Sequence, residues 1–395
     1  MRQIQEYKAN SLESFFEIVE LINNKFVVCD DFESKGNNKK NKNKLEKPSL
    51  SPLWFRGQEY NYYYLFPSAF REIGIDFKSD ENYTKHHLLE EYRYQVFKSR
   101  GYDHVNTAPE SRIEWEEIMQ HHFTYTRLMD WSESAVTSLI FALESYIDPK
   151  DDANLRYRRE NCTPAVWVLS PFKLNRKVFN VITEKDEIAD YMDRALSDVF
   201  ADSRERMKLS RKLSKELTNN PSTYFSDYNN ENRCTLSGIV GLSVLENYRQ
   251  SNGYRIKELI RQNEYNMFFY MLSRYYTDGV PVSVKLKNQL PPLATLHPYH
   301  SNRIKAQRGA FTVFPYYGEG NDESENKKIR LLKTANMDIR LLEYQDGAGE
   351  YLYKIRLLNP EKIAKQLLIS GSRRSSVYPE LQNYSDDIES KKYHV

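Results

Sequence analysis

Two short segments concentrate the side chains that are able to bind a phosphate or take part in acid–base chemistry. In the first, Leu53 to Gln58 (LWFRGQ), Arg56 and Gly57 follow a large apolar triplet. The triplet is β-prone, so we expect a strand that ends at Arg56, with Gly57 permitting a turn or the close approach of a ligand. A fixed arginine at a strand end is a common anion site, but a salt bridge to a nearby acid is an equally good account.

The second segment, Met119 to Glu144, holds most of the other candidates in a predicted connection between two helices. Loops between rigid elements often carry sites. The two adjacent histidines point about 100° apart on a helix, so they do not form a metal pair. The structural alternative is that His122 ends one helix and Asp130 caps the next. The candidates are His121, His122, Thr124, Tyr125, Thr126, Arg127, Asp130, Trp131 and Ser132.

Weaker candidates stand elsewhere in the chain. Arg303, Gln307 and Gly309 precede a predicted strand, where the Gln307 amide is able to hydrogen-bond in two directions. A tyrosine-rich turn after Gly57 either lines a pocket or packs in the core. The chain lacks GxxxxGK, HExxH, GxSxG and paired CxxC motifs, which argues against a nucleoside triphosphatase, a zinc hydrolase and a serine esterase.

Composition further narrows the functional class and the cellular location that we expect. The 395 residues are enough for two domains, and a net charge of +2 argues against a dedicated electrostatic nucleic-acid binder. Three widely separated cysteines fit a reducing cytoplasm and show no zinc-site spacing, so no metal is expected. The N-terminus is amphipathic and acidic, unlike a signal peptide, and no apolar run is long enough to span a membrane. We therefore expect a cytoplasmic protein with no membrane partner.

The spacing of apolar residues along the chain predicts both helices and strands, so we expect the α+β class. We expect an N-terminal helix and a basic mobile loop over 1–50, and a domain in two parts, 51–175 and 281–395, split by a helical insertion over 176–280. Helices are predicted at Ser11–Ile22, His86–Arg100, Ser111–His122, after a Ser132 cap, and from Pro360. Strands are predicted at Lys25–Phe32, Leu53–Phe55, Ala165–Ser170, Pro281–Leu286, Gly309–Phe314 and Tyr351–Leu358.

Taken together, these segments resemble the FRG domain family over about 50–175 and 280–390. The resemblance is carried by five ordered motifs, of which the segment from Gln120 to Trp131 is the most specific. They are Trp54–Gln58, Leu65–Ser68 with Phe70 and Arg71, Gln120–His122 with Thr126–Trp131, Arg303–Phe311, and Val377–Leu381.

The FRG block also looks like the first strand of arginine-type ADP-ribosyltransferases. That resemblance implies a pair of small packed β-sheets with peripheral helices and an inserted helical subdomain, and it implies NAD as the substrate. Arg56 would hold the pyrophosphate or ribose of NAD, Arg127 would be a second clamp, and His121 or His122 would orient the substrate.

The same resemblance implies the remaining roles. Trp131 or Tyr60 would stack on nicotinamide, and Gln307 would stand where those enzymes carry a glutamate. Glutamine lacks the negative charge of that glutamate, so the carboxylate of Glu319, Glu350 or Asp130 would supply the charge instead. Gly57, Thr126, Asp130 and Ser132 complete the implied NAD-binding set.

Three functions follow from these residues. The first is an NAD-dependent ADP-ribosyltransferase-like enzyme that acts as a toxin or antiviral defence effector. Its acceptor would be RNA or protein, and a regulator or antitoxin would bind the helical insertion. The second is a non-catalytic module that binds a nucleotide or single-stranded RNA, and the third is a metal-independent ribonuclease. Two packed sheets favour the enzyme, a single sheet with exposed tyrosines favours the binding module, and an exposed histidine beside Arg127 favours the nuclease.

Overall fold

The computed structural model divides the chain into two compact units. Unit 1 comprises Met1–Arg2, Tyr64–Trp131 and Phe172–Ala348, and unit 2 comprises Gln3–Tyr63, Ser132–Pro171 and Gly349–Val395. The structure describes residues 4–26, 53–70, 81–105, 109, 112–122, 124–147, 163–183, 200–219, 276, 291–295, 301–314, 342–345 and 347–389.

Strands and helices are interspersed along the described residues. The strands are β1 (Gln5–Ala9), β2 (Trp54–Gln58), β3 (Leu128–Ser132), β4 (Ala165–Leu169), β5 (Leu293–Thr295), β6 (Gly309–Val313) and β7 (Leu352–Leu357). The helices are α1 (Leu12–Asn24), α2 (Glu81–Gly101), α3 (Arg112–His121), α4 (Ala135–Ala142), α5 (Glu144–Ile147), α6 (Pro171–Thr183), α7 (Ser203–Asn219), α8 (Asn302–Gln307), α9 (Pro360–Ile369) and α10 (Leu381–Glu389).

The strands form one mixed sheet in the order β1-β7-β4-β2-β3-β6-β5. Strand β1 pairs with β7 in parallel, whereas the pairs β7–β4, β4–β2, β2–β3 and β5–β6 are antiparallel. The α+β class is confirmed, but the predicted pair of packed sheets is wrong for the part of the chain that the structure describes. The pair of sheets was an implication of the ADP-ribosyltransferase resemblance. Strand β3, which we took for a connection between helices, pairs with β2 as a further strand of the same sheet.

Unit 2 has a hydrophobic core between its strands and helices α1, α4 and α9. Local sequence sets the ends of these helices. Ser11 caps α1 by accepting from the backbone N–H of Ser14, and Asn359 caps α9 ahead of Pro360 at the first helical position. The core residues are Ala9, Phe15, Ile22, Leu53, Phe55, Leu139, Ala142, Leu143, Val166, Val168, Tyr353, Ile355, Leu357, Ile363, Ala364 and Leu367.

Unit 1 contains a smaller apolar cluster where α2 meets α3. Tyr94, Trp115 and Met119 are buried there, and Phe97 and Val105 pack against them. The edge strand β5 is fixed by a side chain of α6. The Asn175 amide accepts from the N–H of Ala294 at 2.8 Å and donates to its carbonyl at 3.0 Å, as a neighbouring strand would.

The helices and strands agree with the sequence predictions at α1, α2, α3, β4, β6, β7 and α9, within a few residues at the ends. Two details were wrong. Strand β2 continues to Gln58 instead of ending at Arg56, and α4 is capped by Ser134 instead of Ser132. The predicted strands Lys25–Phe32 and Pro281–Leu286, the basic loop and most of the helical insertion lie largely or wholly outside the described residues.

Candidate functional site

Arg56 occupies the centre of strand β2, with its side chain on the face of the sheet opposite the core of unit 2. Side chains alternate between the two faces of a strand. Phe55 belongs to the core, and the missing side chain of Gly57 would point at helix α4 on that same side. Arg56 and Gln58 therefore point the other way, and the Arg56 side chain is half-buried.

Cross-strand register continues this second face over the neighbouring strands. Arg56 stands opposite Trp167 on β4, Trp167 opposite Lys354 on β7, and Lys354 opposite Glu6 on β1. With neighbouring strands about 4.8 Å apart, the Cα atoms of Arg56 and Lys354 lie about 10 Å from one another. We call this row of side chains the polar face of unit 2; its members are Glu6, Lys8, Arg56, Gln58, Trp167, Lys354 and Arg356, of which Gln58 and Trp167 are buried.

Hydrogen bonds fix the groups at the centre of the polar face. The Trp167 indole N–H donates to Oε1 of Gln58 at 2.9 Å, and Nζ of Lys354 lies 4.8 Å from the centroid of the Trp167 ring. The same ammonium donates to the backbone carbonyl of Asn61. At the edge strand, the Arg356 guanidinium lies 3.3 Å from the Glu6 carboxylate.

A cluster of three tyrosine rings adjoins Asn61. We call Tyr60, Tyr62 and Tyr63 the tyrosine cluster. Tyr60 is buried and stacks on Tyr62 with ring centroids 5.7 Å apart, and Tyr63 meets both rings edge-on at 5.1 Å. Tyr62 and Tyr63 are 55% and 42% exposed. The cluster therefore presents two aromatic faces to solvent beside Lys354, and Tyr60 supports them from below.

Arg127 lies in unit 1 and is buried in an ion pair. Its Nε donates to Oε2 of Glu90 at 2.8 Å, its backbone N–H donates to Oε1 of the same carboxylate at 3.3 Å, and Nη1 donates to the carbonyl of Phe314. The two side chains of the pair are 1% and 3% exposed. These contacts account for the position of Arg127, and its role as a clamp on NAD stays a prediction.

A second buried ion pair lies near Arg127 in unit 1. Arg112 donates to Glu116 at 2.7 Å and to Glu91 at 2.5 Å. Burial raises the pKa of Glu116, an effect that the neighbouring Glu90 carboxylate reinforces and the two guanidinium groups oppose. This network joins α2, α3 and the start of β3.

Other residues of the signature from Gln120 to Trp131 also have structural contacts. Thr126 is buried, and its hydroxyl donates to the Gln120 side chain. The Trp131 indole, 3% exposed, donates to the Thr312 hydroxyl at 3.0 Å. Asp130 is exposed on β3, His121 is half-buried at the end of α3, and His122 is exposed. Stacking of Trp131 on nicotinamide stays a prediction. The burial of the Trp131 ring does not favour it.

The other predicted site residues divide between the two units. In unit 2, Gly57 lies against α4, Ser132 is buried and accepts from the N–H of Ser134 at 3.0 Å, and Glu350 is exposed. In unit 1, Gln307 ends α8 and is half-buried. The structure thus groups Arg127 with Thr126 and Trp131 in unit 1, and Arg56 with Gly57 and Tyr60 in unit 2. Glu319 lies outside the described residues.

Sequence reasoning missed two residues of the polar face, Trp167 and Lys354. Both strands were predicted, the first as a buried strand, but no role was given to a side chain of either. The period-two alternation carried the signal, because Trp167 stands between two core valines and Lys354 between Tyr353 and Ile355. The pairing that aligns them with Arg56 links residues more than a hundred positions apart, and the sequence does not specify it.

Two general properties of the described residues concern metal binding and membrane spans. They contain no group of three or more histidine, cysteine, aspartate or glutamate side chains placed to hold a metal ion. In the same part of the chain, every helix is too short or too polar to cross a membrane.

Comparison with known proteins gives one result. Residues 51–151 match the model of the FRG domain, a segment that includes Arg56, Arg127 and Trp131. No curated protein and no solved structure matches the chain. None of these comparisons points to an ADP-ribosyltransferase.

Proposed function

We propose that the protein binds single-stranded RNA, or a nucleotide of similar chemistry, through the polar face and the tyrosine cluster of unit 2. The observation that carries the proposal is the placement of Arg56 and Lys354 on either side of the buried Trp167 across three strands, beside two exposed tyrosine rings. Cations and exposed aromatic rings on one side of a sheet are the two components that a single-stranded nucleic acid needs.

Charge supports an anionic ligand at this face. Four of its residues are cationic, Lys8, Arg56, Lys354 and Arg356, against the single carboxylate of Glu6. The Glu6 charge is offset locally, because that side chain lies against Arg356. Local charge thus favours phosphate binding, although the whole chain has a net charge of only +2.

The tyrosine cluster supports stacking of bases. The exposed Tyr62 ring is held by Tyr60 beneath it and by Tyr63 at its edge, so it has little freedom to lose when a base stacks. Base stacking on such a ring contributes roughly 1–3 kcal/mol per base, with little dependence on base identity. Binding without strong sequence preference is the expected behaviour.

The test is binding of a short fluorescent oligo(U) RNA, followed by anisotropy, to the full chain and its variants. Arg56→Ala is expected to weaken binding roughly ten-fold or more, because it removes a charge-assisted contact to phosphate. Tyr62→Leu, which removes the exposed ring, is expected to weaken binding about ten-fold. Raising the salt concentration is expected to weaken binding of the wild type more than that of Arg56→Ala.

A matched control removes one positive charge from the other side of the same unit. Lys365 is exposed on α9, a helix that packs on the core side of the sheet. Lys365→Ala is expected to leave RNA binding unchanged. Equal losses for Arg56→Ala and Lys365→Ala would show that only overall charge matters, and the proposed site would be wrong.

ADP-ribosyl transfer from NAD is the second candidate function. It is favoured by the position of Arg56, a half-buried arginine on a strand, for which the resemblance to ADP-ribosyltransferases implies a contact with the ribose or phosphate of NAD. It is tested by nicotinamide release from NAD, with and without added RNA or protein. Release that disappears in Arg56→Ala but persists in Lys365→Ala would support the enzyme, and no release by the wild type would count against it.

A further inference from the structure

Unit 1 contains a pocket between helices α2 and α3 that includes no residue of the polar face or of the tyrosine cluster. Its volume is about 770 Å³, within the range of sites for small ligands. The turn after α2 contributes to its lining, and the pocket lies wholly within unit 1. The lining residues on α2 are Tyr92, Arg93, Val96, Phe97, Arg100 and Gly101, and the others are His104, Val105, Ile118, His122 and Thr124.

One stripe of α2 forms the longest wall. Arg93, Val96, Phe97 and Arg100 follow the spacing of three and four residues that places side chains on one side of a helix. The stripe therefore has two apolar side chains between two arginines, and the arginines lie about 10 Å apart along the helix axis. Ile118 and His122, four residues apart, face it from the α3 side.

Aromatic packing holds the floor of the pocket in place. The Phe97 ring meets the buried Trp115 ring edge-on, with centroids 6.4 Å apart. The exposed His122 ring lies 6.3 Å from Phe97 at a tilt of 38°. Two flat rings backed by a buried indole offer a planar ligand a contact surface that needs little ordering.

The charged groups of the pocket favour an anion. Its lining includes two arginines and two histidines and no carboxylate. The Arg93 guanidinium rests over the Tyr125 ring, 5.2 Å from its centroid, whereas Arg100 is exposed at the end of α2. A ligand with a flat ring and a single anionic group would place the ring on Phe97 and the anion on Arg100.

We infer that this pocket is a binding site for a free nucleoside monophosphate. Its base packs on Phe97 and Val96, and its phosphate binds Arg100. This site is distinct from the polar face of unit 2, and it does not depend on RNA binding or on ADP-ribosyl transfer there.

The first test is calorimetric titration of the full chain with AMP, adenosine and inorganic phosphate. AMP is expected to bind at least ten-fold more tightly than adenosine or inorganic phosphate, because the pocket contacts both the base and the phosphate of AMP. Arg100→Met keeps an apolar side chain of similar length and removes the charge, so it is expected to weaken AMP binding roughly ten-fold.

Lys98→Met is the matched control. Lys98 lies on the same helical turn, outside the pocket lining, with Nζ 3.5 Å from the Tyr94 hydroxyl. It is expected to leave AMP binding unchanged while removing the same unit of charge. Equal losses in the two variants, absence of AMP binding by the wild type, or binding of oligonucleotides without binding of AMP would each overturn the inference.

The second test locates the ligand. Photolabelling of the full chain with 8-azido-AMP, followed by peptide mapping, is expected to label the segment from Tyr92 to Thr124, and excess AMP is expected to suppress the label. Arg100→Met is expected to lose that label without a change in thermal unfolding. A label confined to unit 2 would show that AMP binds at the polar face, and the pocket would then have no assigned ligand.

Discussion

Gly57 lies so close to Ser138 that no side chain fits between strand β2 and helix α4. A Cβ atom at position 57 would fall 1.9 Å from the backbone carbonyl oxygen of Ser138 and 2.7 Å from the backbone nitrogen of Ala142. Both are main-chain atoms of the helix, so they are unable to move without moving α4. The glycine of the Phe-Arg-Gly segment thus allows a helix to pack on the sheet, and Arg56 beside it points to the opposite face.

Gly57→Ala is therefore expected to destabilise the protein by about 3 kcal/mol, the upper part of the range for overpacked cores. Chemical unfolding followed by circular dichroism measures the effect. Gly101→Ala is the matched control, because a Cβ there would meet its nearest atom at an ordinary distance of 3.5 Å in helical backbone. That substitution is expected to stabilise by about 0.5–1 kcal/mol. Equal effects of both variants would contradict the assignment of Gly57 to helix packing.

Arg127→Met is expected to destabilise the protein by about 3–5 kcal/mol. The substitution leaves the Glu90 carboxylate buried without its cation, and this is the costly way to break a buried ion pair. The double variant Arg127→Met with Glu90→Leu removes both charges and is expected to recover part of the loss. The measurement is a double-mutant cycle of unfolding free energies. Loss of ligand binding by Arg127→Met with unchanged stability would instead support the clamp on NAD.

Local sequence was a good guide wherever neighbouring residues determine the structure. The Ser11 cap with the stripe of α1, and Pro360 at the start of α9, were visible as short patterns. The continuous apolar run from Ala165 to Leu169 identified β4 as a buried strand. These features depend on contacts within a few residues of one another.

Long-range pairing accounts for most of what the sequence did not show. The buried partners of Arg127 were not visible in the sequence, because Glu90 and Phe314 lie 37 and 187 residues away. Arg56 looked like the end of a strand because Gly57 usually permits a turn. The contact of Gly57 with α4 instead keeps that position inside β2, and it is tertiary packing that decides this.

Arg308→Gly is expected to stabilise the protein by about 1 kcal/mol. Arg308 ends α8 with φ at 46°, in the left-handed region that costs an ordinary side chain about 1–2 kcal/mol and costs glycine nothing. Thermal unfolding measures the gain. Arg303→Gly, within the same helix, is the control and is expected to lose about 1 kcal/mol. A loss of stability in Arg308→Gly would show that the arginine side chain makes contacts that outweigh the strain.

Glu116→Gln is expected to make stability less dependent on pH. Burial raises the pKa of Glu116 above its ordinary value of 4.5, so the folded protein holds this proton more strongly than the unfolded chain. The resulting stabilisation is complete below pH 4.5 and is lost as the pH rises through the folded pKa. Glutamine keeps the acceptor for Arg112 and has no charge to desolvate.

The measurement is the unfolding free energy of wild type and Glu116→Gln over a pH series. The difference is expected to shift in favour of the variant as the pH rises above 4.5, by up to about 1.4 kcal/mol per pH unit within the window between the two pKa values. Glu361→Gln, at an exposed position in the first turn of α9, is the control for the removal of one carboxylate. A difference that moves in favour of the wild type with rising pH would mean that Arg112, and not burial, dominates the environment of Glu116.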